Sequence, residues 1–296
     1  MIKTALRKNR LPEWFRQGIP DARILAKFRA LKKQEINTVC FEARCPNWSR
    51  CLSQNTLTFM ILGNRCTRSC RFCAVEKPDK ILPPPDKEEA NRILNAIRDL
   101  QLKFVIITSV TREDLDDGGA GQFVSIIKAI RNHKKDIKIE VLIPDFSGEA
   151  LSSIVQSGPD VLAHNLETVP RLYPKIRIGA SYSRSLQVLA ESKKINTHLI
   201  TKSSLLLGMS EEEEEVRKVM DDLSRAGCDI LVLCQYLSPT PGHYPVKEYI
   251  TKEQFLKYEE TGLAMGFKAV LASPLARTSY QAQEIYNSVQ RLAYSV

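Results

Sequence analysis

The 296-residue sequence has no apolar run of about 18 residues, so no segment reads as a membrane-spanning helix. Its first fifteen residues, MIKTALRKNRLPEWF, lack the apolar centre and small-residue cleavage site of a secretory signal. A cytoplasmic protein is therefore expected. Histidine is scarce, at four residues, which leaves little material for a His-rich metal site. Cysteine is too sparse for a small disulfide scaffold, and glycine and proline fall far below collagen-like or low-complexity levels. What is present, 43% apolar and 26% charged residues, suits one large or two small folded domains with a core of normal size.

Charge is unevenly placed. Of the formal net +9, residues 1–50 carry +8, from 12 Lys/Arg against 4 Asp/Glu. Such an arm can dock an acidic partner, or it can be a solvated, partly helical surface. No stacked series of aromatics interleaves with these charges, so no nucleic-acid partner is expected.

Past Thr58, short apolar runs alternate with amphipathic stretches. The runs are 58–62 (TFMIL), 104–110 (FVIITSV), 137–143 (IKIEVLI), 161–166 (VLAHNL), 197–207 (THLITKSSLLL), 230–237 (ILVLCQYL) and 267–272 (FKAVLA). They are β-branched and nearly continuous, as strands buried on both faces are. Between them apolar residues recur at helical spacing: Ala90, Ile93, Leu94, Ile97 and Leu100; then Phe123, Ile126, Ile127 and Ile130; then Val216, Val219, Met220 and Leu223. Asp86, after the prolines at 83–85, reads as a helix N-cap with Glu89 three residues on. The glutamates at 211–215 read as a solvated first helical turn. This repetition predicts an α/β fold: a partial, open TIM barrel of (β/α)6 type over 58–272, with an N-terminal extension (1–57) and a C-terminal one (273–296). In such barrels chemistry gathers at the carboxyl ends of the strands.

The cysteines concentrate there. Six of eight fall within 34 residues. Cys66, Cys70 and Cys73 form C-x3-C-x2-C directly after the first predicted strand. Clustered thiols in a reducing compartment read as metal ligands rather than disulfides. Three thiolates on one short loop can hold three irons of a cubane and leave the fourth open to a small chelating molecule. Structural zinc wants four ligands, normally in two pairs, and the nearest fourth candidates, His133 and His164, are remote in sequence. Upstream, Cys40, Cys45 and Cys51 form C-x4-C-x5-C, and three soft ligands again suit iron-sulfur chemistry. Cys228 and Cys234, in or beside an apolar run, read as buried neutral thiols. His133, His198 and His243 show no ligand spacing.

These segments carry a resemblance. C-x3-C-x2-C after the first barrel strand resembles the radical S-adenosylmethionine superfamily. The upstream triplet adds EARCPN (42–47), TFMILGNRCTRSCRFCAV (58–75), TSVTREDLDDGGAGQF (108–123), EVLIPDF (140–146) and HNLETVPRLY (164–173). TKS (201–203), GCDIL (227–231), QYL (235–237), MGF (265–267) and RTSY (277–280) follow. With all of these the chain resembles the lipoyl synthase family over about residues 10–290.

The resemblance implies two 4Fe-4S clusters. One, on Cys66, Cys70 and Cys73, would bind S-adenosylmethionine at its open iron, and reductive cleavage would give a 5′-deoxyadenosyl radical. The other, on Cys40, Cys45 and Cys51, would take Ser279 of RTSY as its fourth ligand. The implied activity is a sulfurtransferase step of lipoate biosynthesis, inserting two sulfur atoms at C6 and C8 of a protein-bound octanoyl chain, with the sulfur drawn from the second cluster. The implied partners are octanoylated lipoyl domains of 2-oxoacid dehydrogenase complexes or the glycine-cleavage H protein, and an electron donor such as ferredoxin or flavodoxin. The alternatives are a paralogue that thiolates another acyl substrate, and a non-catalytic iron-sulfur or zinc protein.

The chemistry has its own logic. An unactivated C–H bond has no useful acidity, so no side-chain base can open it; a carbon radical can, and cofactors carry such chemistry. The substrate radical then needs a sulfur donor at fixed distance. A serine oxygen binds iron more weakly than thiolate, so Ser279 is expected to make that iron labile. Asn165 and Glu167, after the fourth predicted strand, are expected to contact S-adenosylmethionine. Asp116–Gly119 offers either a contact to its amino group or a glycine turn. Arg177 and Lys202 are candidate charges at the barrel mouth. The chain departs from the family pattern at Ser204, Ser210 and Cys234, where glycine is usual, and at Ile178, Ser181 and Gln281. None is an expected cluster ligand; they bear on the identity of the substrate or carrier.

Overall fold

Each of the seven apolar runs forms a strand: β1 (Thr58–Ile61), β2 (Phe104–Ser109), β3 (Lys138–Leu142), β4 (Val161–Ala163), β5 (Ile200–Leu207), β6 (Ile230–Gln235) and β7 (Ala269–Ser273). The computed structural model describes residues 12–15, 21–54 and 56–293. Lys3, Arg7, Lys8, Arg10 and Arg16 of the basic arm lie outside them. The strands make one parallel sheet in chain order, β1 through β7, one strand more than a six-stranded barrel. β1 pairs only with β2 in the ladder, and β7 only with β6, so the wall stays open. The outer edge of β1 is met by Thr38, in an antiparallel bridge to Phe59.

The helices are α1 (Ala22–Lys33), α2 (Val39–Glu42) and α3 (Trp48–Ser53) before the barrel, then α4 (Glu89–Asp99), α5 (Ala120–His133) and α6 (Gly148–Gln156). Next come α7 (Tyr173–Ile176), α8 (Tyr182–Ile195), α9 (Glu213–Arg225), α10 (Lys252–Ala264) and α11 (Ala282–Ala293). Helical stripes bury Ile93 and Ile97, Phe123 and Ile127, and Val219 and Leu223 in one core with Val105, Ile107, Val141 and Leu231 of the strands. Each such side chain contributes about 1.5–3 kcal/mol on full burial. The opposite strand face points inward. There Phe104, Ile106, Val161, Ile200 and Ile230, near the strand starts, pack on Ala282, Tyr286 and Val289 of α11. The C-terminal helix thus plugs the lower end of the barrel.

Several local expectations change. The run at 161–166 yields three strand residues: past Ala163 the Leu166 N–H goes to Ser203 Oγ instead of the ladder, and Glu167, at φ +66°, rejoins β5 in a parallel bridge to Leu205. Thr197–Leu199 form a turn before β5, with the His198 N–H bonded to Asn196 Oδ1 at 3.0 Å. Asp86 caps the turn ahead of α4, accepting the Glu88 N–H at 2.9 Å, while α4 itself starts at Glu89. Glu89 turns inward and accepts the Leu62 N–H at 3.2 Å. The acidic run is not simply solvated: Glu212 and Glu215 form a capping box, and Glu215 pairs with Arg171 at 2.7 Å. Among the described residues, no helix is long and apolar enough to cross a membrane.

Candidate active-site cavity

At the carboxyl ends of the strands lies a cavity of about 500 Å3, and all six clustered cysteines line it. Asn165, Glu167, Arg177 and Ser279 line it too. Three remote stretches of chain therefore meet: the 39–56 extension, the loops after the strands, and 277–280.

The Cys66–Cys73 loop is fixed by main-chain bonds on every side. The Cys66 N–H bonds the Glu76 carbonyl at 2.9 Å and closes the loop on itself. Thr67 N–H bonds the Thr111 carbonyl at 3.0 Å, Arg71 N–H the Ile176 carbonyl at 2.8 Å, and Tyr244 N–H the Arg71 carbonyl at 2.9 Å. The Thr111 N–H donates to Cys66 Sγ at 3.3 Å. The first cysteine triplet sits on α2, α3 and their connection, held to β1 through the Met60 N–H to the Asn37 carbonyl at 2.9 Å.

Burial governs the thiols. It pushes Cys40 and Cys51 up to about 12, with the Cys45 sulfur adding to both, and Cys73 up to about 11. Cys45 and Cys70 are raised by burial as well, with Arg277 pulling the first back and Arg177 the second. Without metal these thiols are protonated at neutral pH, so a metal group must displace their protons. Among the described residues no three His, Cys, Asp or Glu side chains converge on a point that one ion could occupy. A cubane needs no such convergence, since each thiolate takes a different iron. The two soft triplets lining one cavity fit iron-sulfur clusters; among the described residues a four-ligand zinc cage has no counterpart.

Asn165 and Glu167 come together. Asn165 Nδ2 donates to Glu167 Oε1 at 2.9 Å and to Thr278 Oγ1 at 2.9 Å. Asn165 Oδ1 is buried on the cavity wall with no protein partner. Burial raises the Glu167 carboxyl, and Arg177 draws it back.

One expectation fails. Lys202 is not at the mouth: it is fully buried in the lumen, with Nζ 3.0 Å from both Glu140 oxygens. Asp116–Gly119 is a turn off the cavity wall, where Asp117 accepts the N–H groups of Gly119 and Gly121 at 2.8 and 2.7 Å. Gly119, at φ +92°, leaves no room for a Cβ, which would meet Leu62 Cδ1 at 2.2 Å. Cys228 is a buried neutral thiol, as read, and burial raises it. Cys234 is also buried and raised, to about 11, yet it lines the cavity.

Sequence reasoning passed over four groups. Arg68, inside the cysteine loop, is held by Asp145 at 2.5 Å and Glu113 at 2.9 Å. Asp145 also takes His164 at 3.2 Å and Arg177 at 3.6 Å. Burial opposes its charge, but His164, Arg177 and Arg68 beside it outweigh burial and keep the carboxyl well below the usual range. His243 bonds the Cys73 carbonyl at 3.1 Å through Nε2 and Thr240 Oγ1 at 2.8 Å through Nδ1. Thr278 bonds Asn165 and Ser204. The available signal was charge inside a loop for Arg68 and a motif position for Asp145 and Thr278; His243 had none.

Comparison with known proteins adds three observations. The model of the radical S-adenosylmethionine superfamily matches residues 60–223. A lipoyl synthase of Aquifex aeolicus is 53% identical over 260 residues, covering 86% of this chain and 93% of the relative; one of Alkaliphilus metalliredigens is 49% identical over 278 residues, covering 93% and 95%. The crystal structure of methylornithine synthase superposes with a TM-score of 0.54 at 16% identity, covering 80% of this chain and 81% of that one, a likeness of fold alone.

Proposed function

We infer the reaction from one premise: the chain belongs to the lipoyl synthase family, within the radical S-adenosylmethionine superfamily. It is an enzyme that inserts two sulfur atoms, at C6 and C8, into a protein-bound octanoyl chain to give the lipoyl cofactor, and its cofactors are two 4Fe-4S clusters and S-adenosylmethionine. Bound, these supply a carbon radical that removes hydrogen from an unactivated carbon and the sulfur that replaces it.

Within that reaction we assign Cys66, Cys70 and Cys73 to the cluster that takes S-adenosylmethionine, and Cys40, Cys45, Cys51 and Ser279 to the sulfur-giving one. The observation that carries the assignment is the shared cavity: two triplets and one serine, from three remote stretches, line it together. Asp145 steadies the first loop through Arg68. Asn165 Oδ1, buried and without a protein partner, is the acceptor offered to S-adenosylmethionine, and Glu167 orients its amide. The apolar wall, with Val39, Val75, Val110 and Leu206, keeps water from a substrate radical. Ser279 would offer the sulfur-giving cluster a harder, weaker ligand than thiolate.

The division into 1–57, 58–272 and 273–296 follows the same assignment: sulfur-giving ligands at both ends, radical chemistry between. Basic side chains on α1, among them Arg29 and Lys33, are exposed and suit an acidic lipoyl domain of a 2-oxoacid dehydrogenase complex or the glycine-cleavage H protein. The electron donor is of the ferredoxin or flavodoxin class. All eight cysteines are free thiols, which supports a reducing, cytoplasmic setting.

Anaerobic reconstitution should load about eight irons and eight sulfides. Mass spectrometry of an octanoylated lipoyl-domain peptide should then show two sulfurs gained, each C–H having become C–SH, with two hydrogens lost only once the dithiol is oxidised to the ring disulfide. A loaded protein that cleaves S-adenosylmethionine but leaves that peptide unchanged would point to another acyl substrate.

A further inference from the structure

We propose that Thr278 is a positioning residue that ties the S-adenosylmethionine subsite to the serine ligand of the sulfur-giving cluster. The inference rests on the assignment of Asn165 and Ser279 above.

Thr278 is 8% exposed and stands between two strands of the barrel and the segment that carries Ser279. Its hydroxyl has one proton, which goes to Ser204 Oγ at 3.0 Å. Its oxygen accepts from Asn165 Nδ2 at 2.9 Å, and the same nitrogen reaches Glu167 Oε1 at 2.9 Å. With both amide protons engaged, the Asn165 side chain cannot flip without breaking two bonds. Its Oδ1 is thereby held on the cavity wall with no protein partner. An unpaired buried acceptor is unfavourable, and a ligand N–H or O–H would offset that.

The same segment is fastened to the other cluster's loop. Asn47, between Cys45 and Cys51, donates from Nδ2 to the Leu275 carbonyl at 2.6 Å. Arg50 covers the Tyr280 ring at 5.4 Å from its centroid. Ser279 is therefore spanned by a residue bonded to the barrel wall and a residue held by the auxiliary loop. A displacement of Ser279 would pull on Thr278 and loosen Asn165. Linkage is reciprocal, so S-adenosylmethionine bound at Asn165 steadies Ser279. The chain of hydrogen bonds makes occupancy of one subsite felt at the other.

The test uses Thr278→Val, which removes the hydroxyl at nearly constant volume, Thr278→Ser, which restores it, and Ser204→Ala. Each reconstituted protein is assayed by equilibrium dialysis of S-adenosylmethionine and by Mössbauer spectroscopy of the sulfur-giving cluster with and without it. Thr278→Val should weaken binding about 3–10-fold, the worth of one hydrogen bond. It should also abolish the change that S-adenosylmethionine causes in the second cluster's spectrum. Thr278→Ser should restore both. Ser204→Ala should weaken binding about two- to five-fold. Wild-type affinity and spectra in Thr278→Val, or no rescue by serine, overturn the inference. Should the valine variant not fold, unchanged affinity in Ser204→Ala overturns it instead. A wild-type protein that binds no S-adenosylmethionine, or holds one cluster, overturns the functional assignment itself, a result distinct from these.

Discussion

Lys202→Met takes away the cation that faces Glu140 inside the barrel. Both side chains are fully buried, and Nζ lies 3.0 Å from each carboxylate oxygen, so water cannot replace the lost partner. Methionine fills nearly the same space as the lysine stem, which isolates the charge effect from packing. Removing one member of a buried ion pair costs about 3–5 kcal/mol. With an unfolding entropy of about 2.1 cal/mol/K per residue, a chain of this length should melt about 5–8 °C lower. The deficit should depend on pH. Burial already raises the Glu140 carboxyl while Lys202 pulls it back; without the lysine, burial acts alone. The folded state then keeps a proton that the unfolded state releases above about pH 4.3, so the deficit shrinks as pH falls toward 5 and widens as pH rises. The double variant Glu140→Leu/Lys202→Met leaves no stranded charge and should melt at or above wild type. Scanning calorimetry of the anaerobically reconstituted proteins at fixed scan rate reads all of this. A single variant melting within about 2 °C of wild type, or a double variant melting below the single one, would refute the reasoning.

Gly119→Ala should destabilise by about 2–4 kcal/mol, since its Cβ meets Leu62 Cδ1 at 2.2 Å on a left-handed backbone; Leu62→Ala should return part of the loss in the same melt. Asp229, near-buried against Lys193 and Lys268, has a depressed carboxyl despite its burial. Its contribution is present above the unfolded value of about 3.9 and fades as pH falls through the folded one. Asp229→Asn should therefore melt lower at pH 7 and converge on wild type in acid, as a pH series of melts will show. Ser279→Ala should still cleave S-adenosylmethionine to 5′-deoxyadenosine, counted by chromatography, while lipoyl product falls below detection.

The barrel was legible because parallel strands buried on both faces leave unbroken apolar runs, and Phe104–Ser109 and Ile230–Gln235 are such runs. Ends were harder to read. Nothing in VLAHNL announces that Ser203 will take the Leu166 N–H and cut β4 short. The cysteine triplets were legible because soft ligands at short spacing have few other uses. The support around them was not. Asp145 gathers Arg68, His164 and Arg177 from loops that only the fold brings together. Lys202 was misread for a related reason: a lysine in an apolar run suggests an exit to solvent until Glu140, 62 residues away, is found opposite it.

An unclosed barrel has a seam. Among the described residues no ladder joins β7 to the Thr38 bridge on β1. The staves can spread there without rupturing any interstrand hydrogen bond, whereas widening a closed eight-stave cask would break a whole row of them. The two wall edges can therefore part and close again while the floor laid by α11 stays put.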